Sequence, residues 1–598
     1  IAKVEFSELC KTLRKKIVED TRKFNCHMIQ QAIEENKSLK TAKRKLMIGR
    51  KRILALKTKN GKITRNQDHI LKEAANFYSE LYSSPEEIRD TSTPSNTNNI
   101  PAILKEEVAA AIKEMRKGKA SGEDKLTVDI LKEAGNETIE VITKLFNKCI
   151  TLCDVPKDWK NAIIILLFKK GEKEDIRNYR PISLLSVLYK ILMKVLTNRL
   201  QKQLDAVQPK EQAGFRSGFS TIDHIHTIRE IIERSNEFEL PLCMAFVDYE
   251  KAFDSVSSLA VIEALRQSNI DSGYIQLIGN IYKEATAKLK LHKTSNAFKI
   301  RKGVRQGDTI SPKLFNAVLQ EIFKKLNWEE KGIKIDGEFI NHLRFADDIV
   351  LLASTFEELQ EMLQELNKES KRVGLKMNLS KTKTMSNAFI SPQKITIGMD
   401  ELEAVCSYTY LGQVITMNGS IMEEINNRVK LAWRAFGRNS AIFKSGLPIC
   451  LKRKVFDQCI LPVLTYASET WTLTNRTVRK LQTTQRSMER CMLGFTRRDR
   501  KRNTWIREQT KVTDVICRVK KLKWNWVGHL ARRNDDRWTT KVLYWIPRDK
   551  KRPRKRPQSR WRDEIVKFVG AEWRRSAENR AGWKHLGEAF ILQWIDNG

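Results

Sequence analysis

Apolar positions change period several times along this chain, and each change marks an element. Over residues 1–57 they recur at helical spacing within a strongly basic segment. Asn60-Gly61 then falls between the alternating apolar residues of Ile53–Leu56 and Ile63-Thr64, which predicts a hairpin. A helix follows, closing near Phe77-Tyr78 and Leu81-Tyr82. Residues 83–100 are rich in Ser, Thr, Pro and Asn and read as a linker. A new periodic stretch predicts a helix from about Ile103 to Lys117, stopped by Gly118-Lys119-Ala120-Ser121-Gly122. Beyond it, short apolar runs predict strands over Ala162–Phe168, Leu242–Val247, Lys288–Leu291, His342–Phe345 and Ile349–Ala353. Helical spacing covers Ser183–Leu204, Ile222–Glu233, Ser311–Leu326 and Phe356–Val373. Strands and helices alternate without a regular βαβ rhythm, so a mixed α+β region is expected. Residues 420–495 read as helical, with apolar repeats through Val429–Ile442 and Lys454–Leu464.

Charge narrows the choice of partner. The 598 residues carry a formal net charge of +38, and 41% of them are hydrophobic. Several domains with a substantial core are therefore expected, and the surplus calls for a polyanion. Nucleic acid fits better than a membrane surface, because no apolar run approaches the roughly 18 residues a spanning helix needs. Ten scattered cysteines form no CxxC pair, which argues against a zinc ribbon or redox motif and for reduced thiols in an intracellular protein. The C-terminal part is distinct. Between Arg497 and Arg560 there are 23 Lys and Arg against 6 Asp and Glu. Nine of the thirteen tryptophans lie beyond residue 500: Trp505, Trp524, Trp526, Trp538, Trp545, Trp561, Trp573, Trp583 and Trp594. Basic charge mixed with aromatics suits a groove that tracks phosphates and stacks bases, and it equally suits a small helical domain with a tryptophan core; both are expected here. Two basic runs remain open. Lys40–Arg52 is either a solvated helix face or a strut touching phosphates, and Arg548–Arg556 either contacts nucleic acid or acts as a nuclear-import signal.

Candidate chemistry sits in two acidic segments. Phe246-Val247-Asp248-Tyr249-Glu250-Lys251-Ala252-Phe253-Asp254 ends an apolar strand with a carboxylate. In Phe345-Ala346-Asp347-Asp348-Ile349-Val350, apolar runs on both sides put the Asp pair at a hairpin tip. An Asp pair in a turn is usually only a turn. Here, though, adjacent carboxylates would repel unless a cation neutralised them. If the two strands are neighbours in one sheet, all three aspartates converge. Such hard oxygen ligands suit two Mg²⁺ ions, which can activate a primer 3′-hydroxyl and stabilise leaving pyrophosphate.

These segments do not stand alone. Asn178-Tyr179-Arg180-Pro181-Ile182-Ser183-Leu184-Leu185, Gly214-Phe215-Arg216, the Asp248 segment, Gly303-Val304-Arg305-Gln306-Gly307-Asp308-Thr309-Ile310-Ser311-Pro312 and Phe345–Asp348 occur in that order. As a set they resemble the reverse transcriptase of non-LTR (LINE-type) retrotransposons, over about residue 45 to at least 480. Trp526-Val527-Gly528-His529-Leu530 is similar to the tail of RTE-type endonuclease–reverse transcriptases. The resemblance implies an α+β right-hand polymerase with fingers, a ferredoxin-like palm, a helical thumb and a basic C-terminal helical domain. The corresponding segments are 1–100 (basic extension and linker), 101–395 (fingers and palm), 396–496 (thumb) and 497–598 (basic, Trp-rich domain).

Roles carried over by resemblance are these. Asp248, Asp347 and Asp348 match the catalytic, metal-binding aspartates; Phe345 stands where many reverse transcriptases have Tyr. Phe253 matches the steric gate that would clash with a ribose 2′-hydroxyl, although a plain core aromatic is the alternative. Lys169, with Lys170 adjacent, and Arg180 match the finger residues that grip a triphosphate. Gln306 and Gly307 match the loop supporting nucleotide and template, Gly307 allowing close backbone approach. Lys381, with Lys383 as the alternative, matches a lysine that protonates pyrophosphate. Tyr410, Leu411 and Gly412 match the primer grip. His529 and Cys517 match no zinc spacing, so zinc is not expected. The implied activity is RNA-directed DNA polymerisation with two Mg²⁺ ions, Mn²⁺ substituting. Implied partners are the element's RNA as template, a DNA primer or nicked target DNA, and dNTPs, with no membrane partner. A nuclear location after a cytoplasmic ribonucleoprotein stage is expected, as is an upstream endonuclease missing from a chain that starts at Ile1. A decayed nucleic-acid-binding remnant and a group II intron maturase-like protein are the alternatives. The intact aspartates, Arg180 and Gln306-Gly307 argue against the first.

Overall fold

The protein's structure, a computed structural model, describes residues 2–35, 53–85, 100–548, 550–554 and 559–593. The Lys40–Arg52 run, most of the 83–100 linker and part of Arg548–Arg556 lie outside these. The chain forms two compact units, each discontinuous in sequence: residues 51–221 with 241–405, and residues 1–50 with 222–240 and 406–598. They cut across the expected segments. Residues 51–100 go with the fingers and palm, while the helix after residue 221 goes with the C-terminal half.

The first unit is built on a five-stranded sheet. Cys243–Val247 lies at its centre, antiparallel to Asp348–Ala353 on one side and to Lys383–Ser386 on the other. His342–Phe345 forms the hairpin with Asp348–Ala353, and the short strand Glu403–Ala404 closes the far edge. Omitting that edge strand, the chain order of the strands across the sheet is 2-3-1-4, the ferredoxin-like pattern, with helices in both crossovers. Cys243–Val247 is buried at every residue, which is why its sequence is a continuous apolar run rather than an alternating one. Helix Phe356–Arg372 begins at Thr355, whose hydroxyl accepts from the Glu358 N–H, and buries Leu359, Met362, Leu363 and Leu366.

A second sheet has the order Tyr179–Leu184, Asn161–Phe168, Thr286–Leu289, Phe298–Lys299. The helix expected from Ser183 instead begins at Val187, and Ser183-Leu184 end a strand. Pro181 hid that strand from the sequence reading. Proline is tolerated there because Tyr179–Leu184 is an edge strand, with one side free of ladder bonds. The hairpin around Asn60-Gly61 pairs Leu56 with Thr64 and Lys57 with Ile63. Helix Gln67–Leu81 follows, capped by the Asn66 side chain, which accepts from the Asp68 and His69 N–H groups.

Among its described residues the second unit is helical, with a small hairpin of Ser407–Tyr410 and Gln413–Thr416. Helix Thr221–Glu237 is packed in it through acidic side chains that meet the arginines of the C-terminal segment. Asp223 pairs with Arg533 at 2.5 Å, Glu237 with Arg552 at 2.8 Å and with Arg560, and Glu233 accepts from the Trp561 N–H at 2.7 Å. Lys550 donates to the Glu239 carbonyl. Part of the basic excess is thus neutralised internally. The tryptophans are equally committed. Trp524, Trp526, Trp538, Trp545, Trp561, Trp573 and Trp583 are buried, and Trp524 stacks on Trp583 with centroids 4.0 Å apart. The expected base-stacking role is therefore corrected for these seven: their rings form a core. Among the described residues, no helix is long and apolar enough to cross a membrane.

His226 sits inside this network, 4.5 Å from the Trp561 ring and 6.0 Å from that of Trp526, with Nε2 lacking a hydrogen-bond partner. Burial lowers its pKa from 6.5 to about 3. Between those values the unfolded chain binds a proton that the folded chain refuses. Stability is therefore lost as pH falls from about 6.5 towards 3, by up to ~1.4 kcal/mol per pH unit. His226→Phe is expected to flatten that acid loss relative to the parent in urea melts between pH 7 and 4; an unchanged pH dependence would contradict the burial argument.

Candidate active site

Strand pairing brings the acidic segments together. In the central sheet Ile349 pairs with Val247, and the adjoining residues of the two segments, Asp348 and Asp248, come close enough for their charges to interact. Asp347 occupies the adjoining hairpin turn, since Phe345 pairs with Asp348 and leaves Ala346 and Asp347 as the loop. The condition set by the sequence, neighbouring strands, is met.

The turn is held from below. Ala346 is left-handed, with φ of +57°, an unusual conformation for a residue with a side chain. Gln212 Oε1 accepts from the Ala346 N–H at 3.2 Å and from the Gly214 N–H at 2.8 Å. The Arg344 and Ala213 N–H groups donate to the carbonyls of Glu211 and Arg344 at 2.9 and 3.0 Å. Gly214 lies so close that a Cβ there would stand 2.4 Å from the Ala346 nitrogen. That contact accounts for the glycine in Gly214-Phe215-Arg216.

The aspartates perturb one another. Burial raises the pKa of Asp347, and the Asp248 charge adds to this, while Lys169 and Arg180 oppose it. Asp348 keeps an open edge to solvent, yet surrounding protein and the charges of Asp347 and Asp248 push it up to about 6. Lys381 Nζ stands 3.3 Å from Asp248 Oδ2, and the Asp248 carbonyl accepts from the Asn378 N–H at 2.7 Å. Among the described residues, no three His, Cys, Asp or Glu side chains close around a point as a ready-made metal cage. The donor chemistry still fits a divalent cation: carboxylate oxygens whose mutual repulsion a cation would relieve.

Asp248 and Asp347 line a cleft of about 500 Å³. Six other candidates line it too: Lys169, Arg180, Phe253, Gln306, Gly307 and Lys381, with Lys170 beside Lys169. Asp348 is not in the lining. Leu167 pairs with Arg180, and the Lys169 N–H donates to the Asn178 carbonyl at 2.9 Å, so one two-stranded ribbon carries both cations. The Phe253 ring stacks on Phe315 at 4.5 Å and meets Phe215 edge-on at 6.2 Å; it is both cleft wall and packed aromatic. Gly307, φ +122°, is approached by protein backbone: a Cβ would sit 2.6 Å from the Ser183 carbonyl oxygen. Tyr410, Leu411 and Gly412 belong to the other unit, in the turn of its hairpin. There Tyr466 donates to the Leu411 carbonyl at 2.9 Å, and Arg428 donates to that of Gly412.

Residues 169–415 match the family model described as "Reverse transcriptase (RNA-dependent DNA polymerase)". A putative uncharacterized transposon-derived protein of Caenorhabditis elegans is 35% identical over 269 residues, 42% of this chain and 96% of that protein. The chain belongs to the reverse transcriptases of non-LTR retrotransposons. The Pol polyprotein of a type-1 retrotransposable element R2 of Nasonia vitripennis is 29% identical over 51% of this chain, and the RNA-directed DNA polymerase from mobile element jockey of Drosophila melanogaster 24% over 62%. This chain spans only 30% and 42% of those two proteins.

Two cleft residues of this reverse transcriptase escaped the sequence reading. Asp254, six residues after Asp248, is buried and accepts from Tyr82 and Gln306; burial pushes its pKa up to about 7. Lys251, left-handed with φ of +46°, lays its ammonium 4.4 Å from the Phe77 ring centroid, and burial lowers its pKa to about 8. Both lie within the acidic segment, where Asp248 drew the attention. Two of their partners, Phe77 and Tyr82, lie on or just after helix Gln67–Leu81, which no motif linked to the cleft.

Gly214→Ala is expected to displace the Asp347 turn, because the clash is with backbone that cannot rotate away. Primer extension should fall by at least about tenfold, with the folded fraction by circular dichroism retained. Parent-level extension by this variant would contradict the close approach.

Proposed function

We propose that this chain is an RNA-directed DNA polymerase that copies the RNA of its own element at a nicked DNA site, using dNTPs. The observation that carries the reading is the juxtaposition of Asp248, Asp347 and Asp348 at adjoining strand ends, beside a cleft lined by Lys169, Arg180, Phe253 and Gln306. Lys169 and Arg180 bind the triphosphate, the lysine as a point charge and the arginine as a fork. Asp248 and Asp347, with Asp348 next to them, would hold two Mg²⁺ ions or Mn²⁺ in their place. When bound, these ions supply an activated primer 3′-oxygen and charge neutralisation on the leaving pyrophosphate. Lys381, poised at Asp248, is the proton donor to that pyrophosphate. The Phe253 ring, braced by Phe315, forms a stiff wall against a 2′-hydroxyl. Tyr410, Leu411 and Gly412 hold the primer strand. An RTE-type assignment, supported by the Trp526–Leu530 motif, and a nuclear site of action complete the proposal.

Asp248→Asn, Asp347→Asn and Asp348→Asn are each expected to lower dNTP incorporation on a primed RNA template by about a hundredfold or more, with RNA affinity in gel shifts nearly unchanged. Full incorporation by Asp347→Asn would end the assignment. Phe253→Val is expected to raise ribonucleotide use relative to deoxynucleotide use by about tenfold or more, read as the ratio of the two kcat/KM values. An unchanged ratio would leave Phe253 a packing residue only.

A further inference from the structure

We propose that Asp254 and Tyr82 are positioning residues that set the orientation of the Gln306 amide, so that it offers the cleft its carbonyl oxygen and keeps its NH₂ turned inward. The proposal rests on the polymerase reading of the cleft and adds to it a relay that begins outside the segment matching the family model.

Asp254 is 2% exposed, yet both of its carboxylate oxygens are engaged. Oδ1 accepts from the Tyr82 hydroxyl at 2.9 Å, and Oδ2 accepts from Gln306 Nε2 at 2.8 Å. An ionised carboxylate only accepts, and burial pushes the Asp254 pKa up to about 7, so above that pH the amide of Gln306 has one permitted orientation: nitrogen towards Asp254. The carbonyl oxygen Oε1 is then the amide atom that Asp254 leaves free, on a residue that lines the cleft. A glutamine without this partner could present either face, and an amide that must first choose a face binds a nucleotide less tightly.

The rest of the loop is fixed by backbone, leaving the amide as its free choice. The Val304 N–H donates to the Phe253 carbonyl and the Gly303 N–H to that of Val256, both at 2.7 Å. The Gln306 carbonyl accepts from the Ser183 N–H at 2.8 Å. A Cβ on Gly303 would stand 2.7 Å from the Asp254 carbonyl oxygen, so the loop lies flat against the segment that carries Asp254.

Tyr82 is held in turn. It is 5% exposed, its ring lies between those of Tyr78 at 6.3 Å and Phe298 at 6.4 Å, and its carbonyl accepts from the Arg301 N–H at 3.0 Å. Burial and the Asp254 charge raise its pKa well above the usual phenol range, so it remains a donor. Lys251 and Arg180 provide the positive charge around Asp254. The relay thus runs from Tyr82, through Asp254, to one atom facing the nucleotide.

The test is steady-state kinetics on a primed RNA template, with KM for dNTP read separately from kcat. Asp254→Ala is expected to raise KM about tenfold and to change kcat less than about threefold, with the chain still folded at the assay temperature by circular dichroism and primed-template affinity held. Asp254→Asn is expected to recover most of that loss. Its Oδ1 still accepts from Gln306, while its Nδ2 donates to Tyr82, whose hydroxyl can also accept. Tyr82→Phe should raise KM by about threefold. Asp254→Ala combined with Gln306→Ala should be no worse than Gln306→Ala alone, because both remove one presented atom. An unchanged KM in Asp254→Ala overturns the proposal, as do independent, multiplying effects in the double variant. So does an Asp254→Asn as impaired as Asp254→Ala. If Gln306→Ala keeps the parent KM while Asp347→Asn abolishes incorporation, the relay fails and the polymerase reading stands. A parent chain that incorporates no dNTP overturns both.

Discussion

The arrangement of the cleft depends on one pairing: Cys243–Val247 antiparallel to Asp348–Ala353, with Val247 opposite Ile349. A slip of one residue would turn every side chain of a strand to the other face. Such a slip is strongly opposed here, because both strands are buried over nearly their whole length and would have to exchange packed faces. The register that satisfies the core is therefore the one that sets carboxylates against each other. Repulsion among Asp248, Asp347 and Asp348 is tolerated because the hydrophobic pairing beneath it is not negotiable. The Gln212–Gly214 segment secures the remaining freedom, the angle of the turn.

Around that fixed point, polar side chains face inward at every level. Asp254 ties the Gln306 loop to the helix that ends before Tyr82. Lys251 places its ammonium on aromatic faces rather than on a carboxylate. In the second unit, Asp223, Glu233 and Glu237 serve as internal counter-charges for a segment whose basic charge suggested a groove that tracks phosphates. Net charge remains a sound guide to the partner, a polyanion. It is a poor guide to which individual arginines touch that partner.

The central sheet was legible because buried strands read as apolar runs and because Asp347-Asp348 interrupts two of them. Strand Tyr179–Leu184 was not, since Pro181 argues against a strand unless the edge position is known, and edges are a property of the finished sheet. The candidate cleft residues Lys169, Arg180, Phe253, Gln306, Gly307 and Lys381 were legible only through the resemblance of their segments to a known family. What supports them was less so: Gln212, Tyr82 and the aromatic face under Lys251 act across a hundred or more residues, and no local pattern announces such a partner. The tryptophans show the opposite difficulty. Their composition was plain, but the same residues serve a stacking groove or a core, and only burial separates the two.

The second unit has a consequence for how the chain is made. Helix Thr221–Glu237 is closed over by groups more than three hundred positions later, with Asp223 and Arg533 separated by 310 residues and Glu233 and Trp561 by 328. At a synthesis rate of roughly 5–20 residues per second, the helix waits on the order of 15–60 s for its partners. During that interval it carries acids and an imidazole that will later be buried, while the sequence of the first unit is complete by residue 405. Translation therefore gives the polymerase unit a head start. The helix emerges in the middle of that unit and must stay soluble until the last residues arrive, which its polar Asp223, Glu230, Glu233 and Glu237 allow and an all-apolar helix would not.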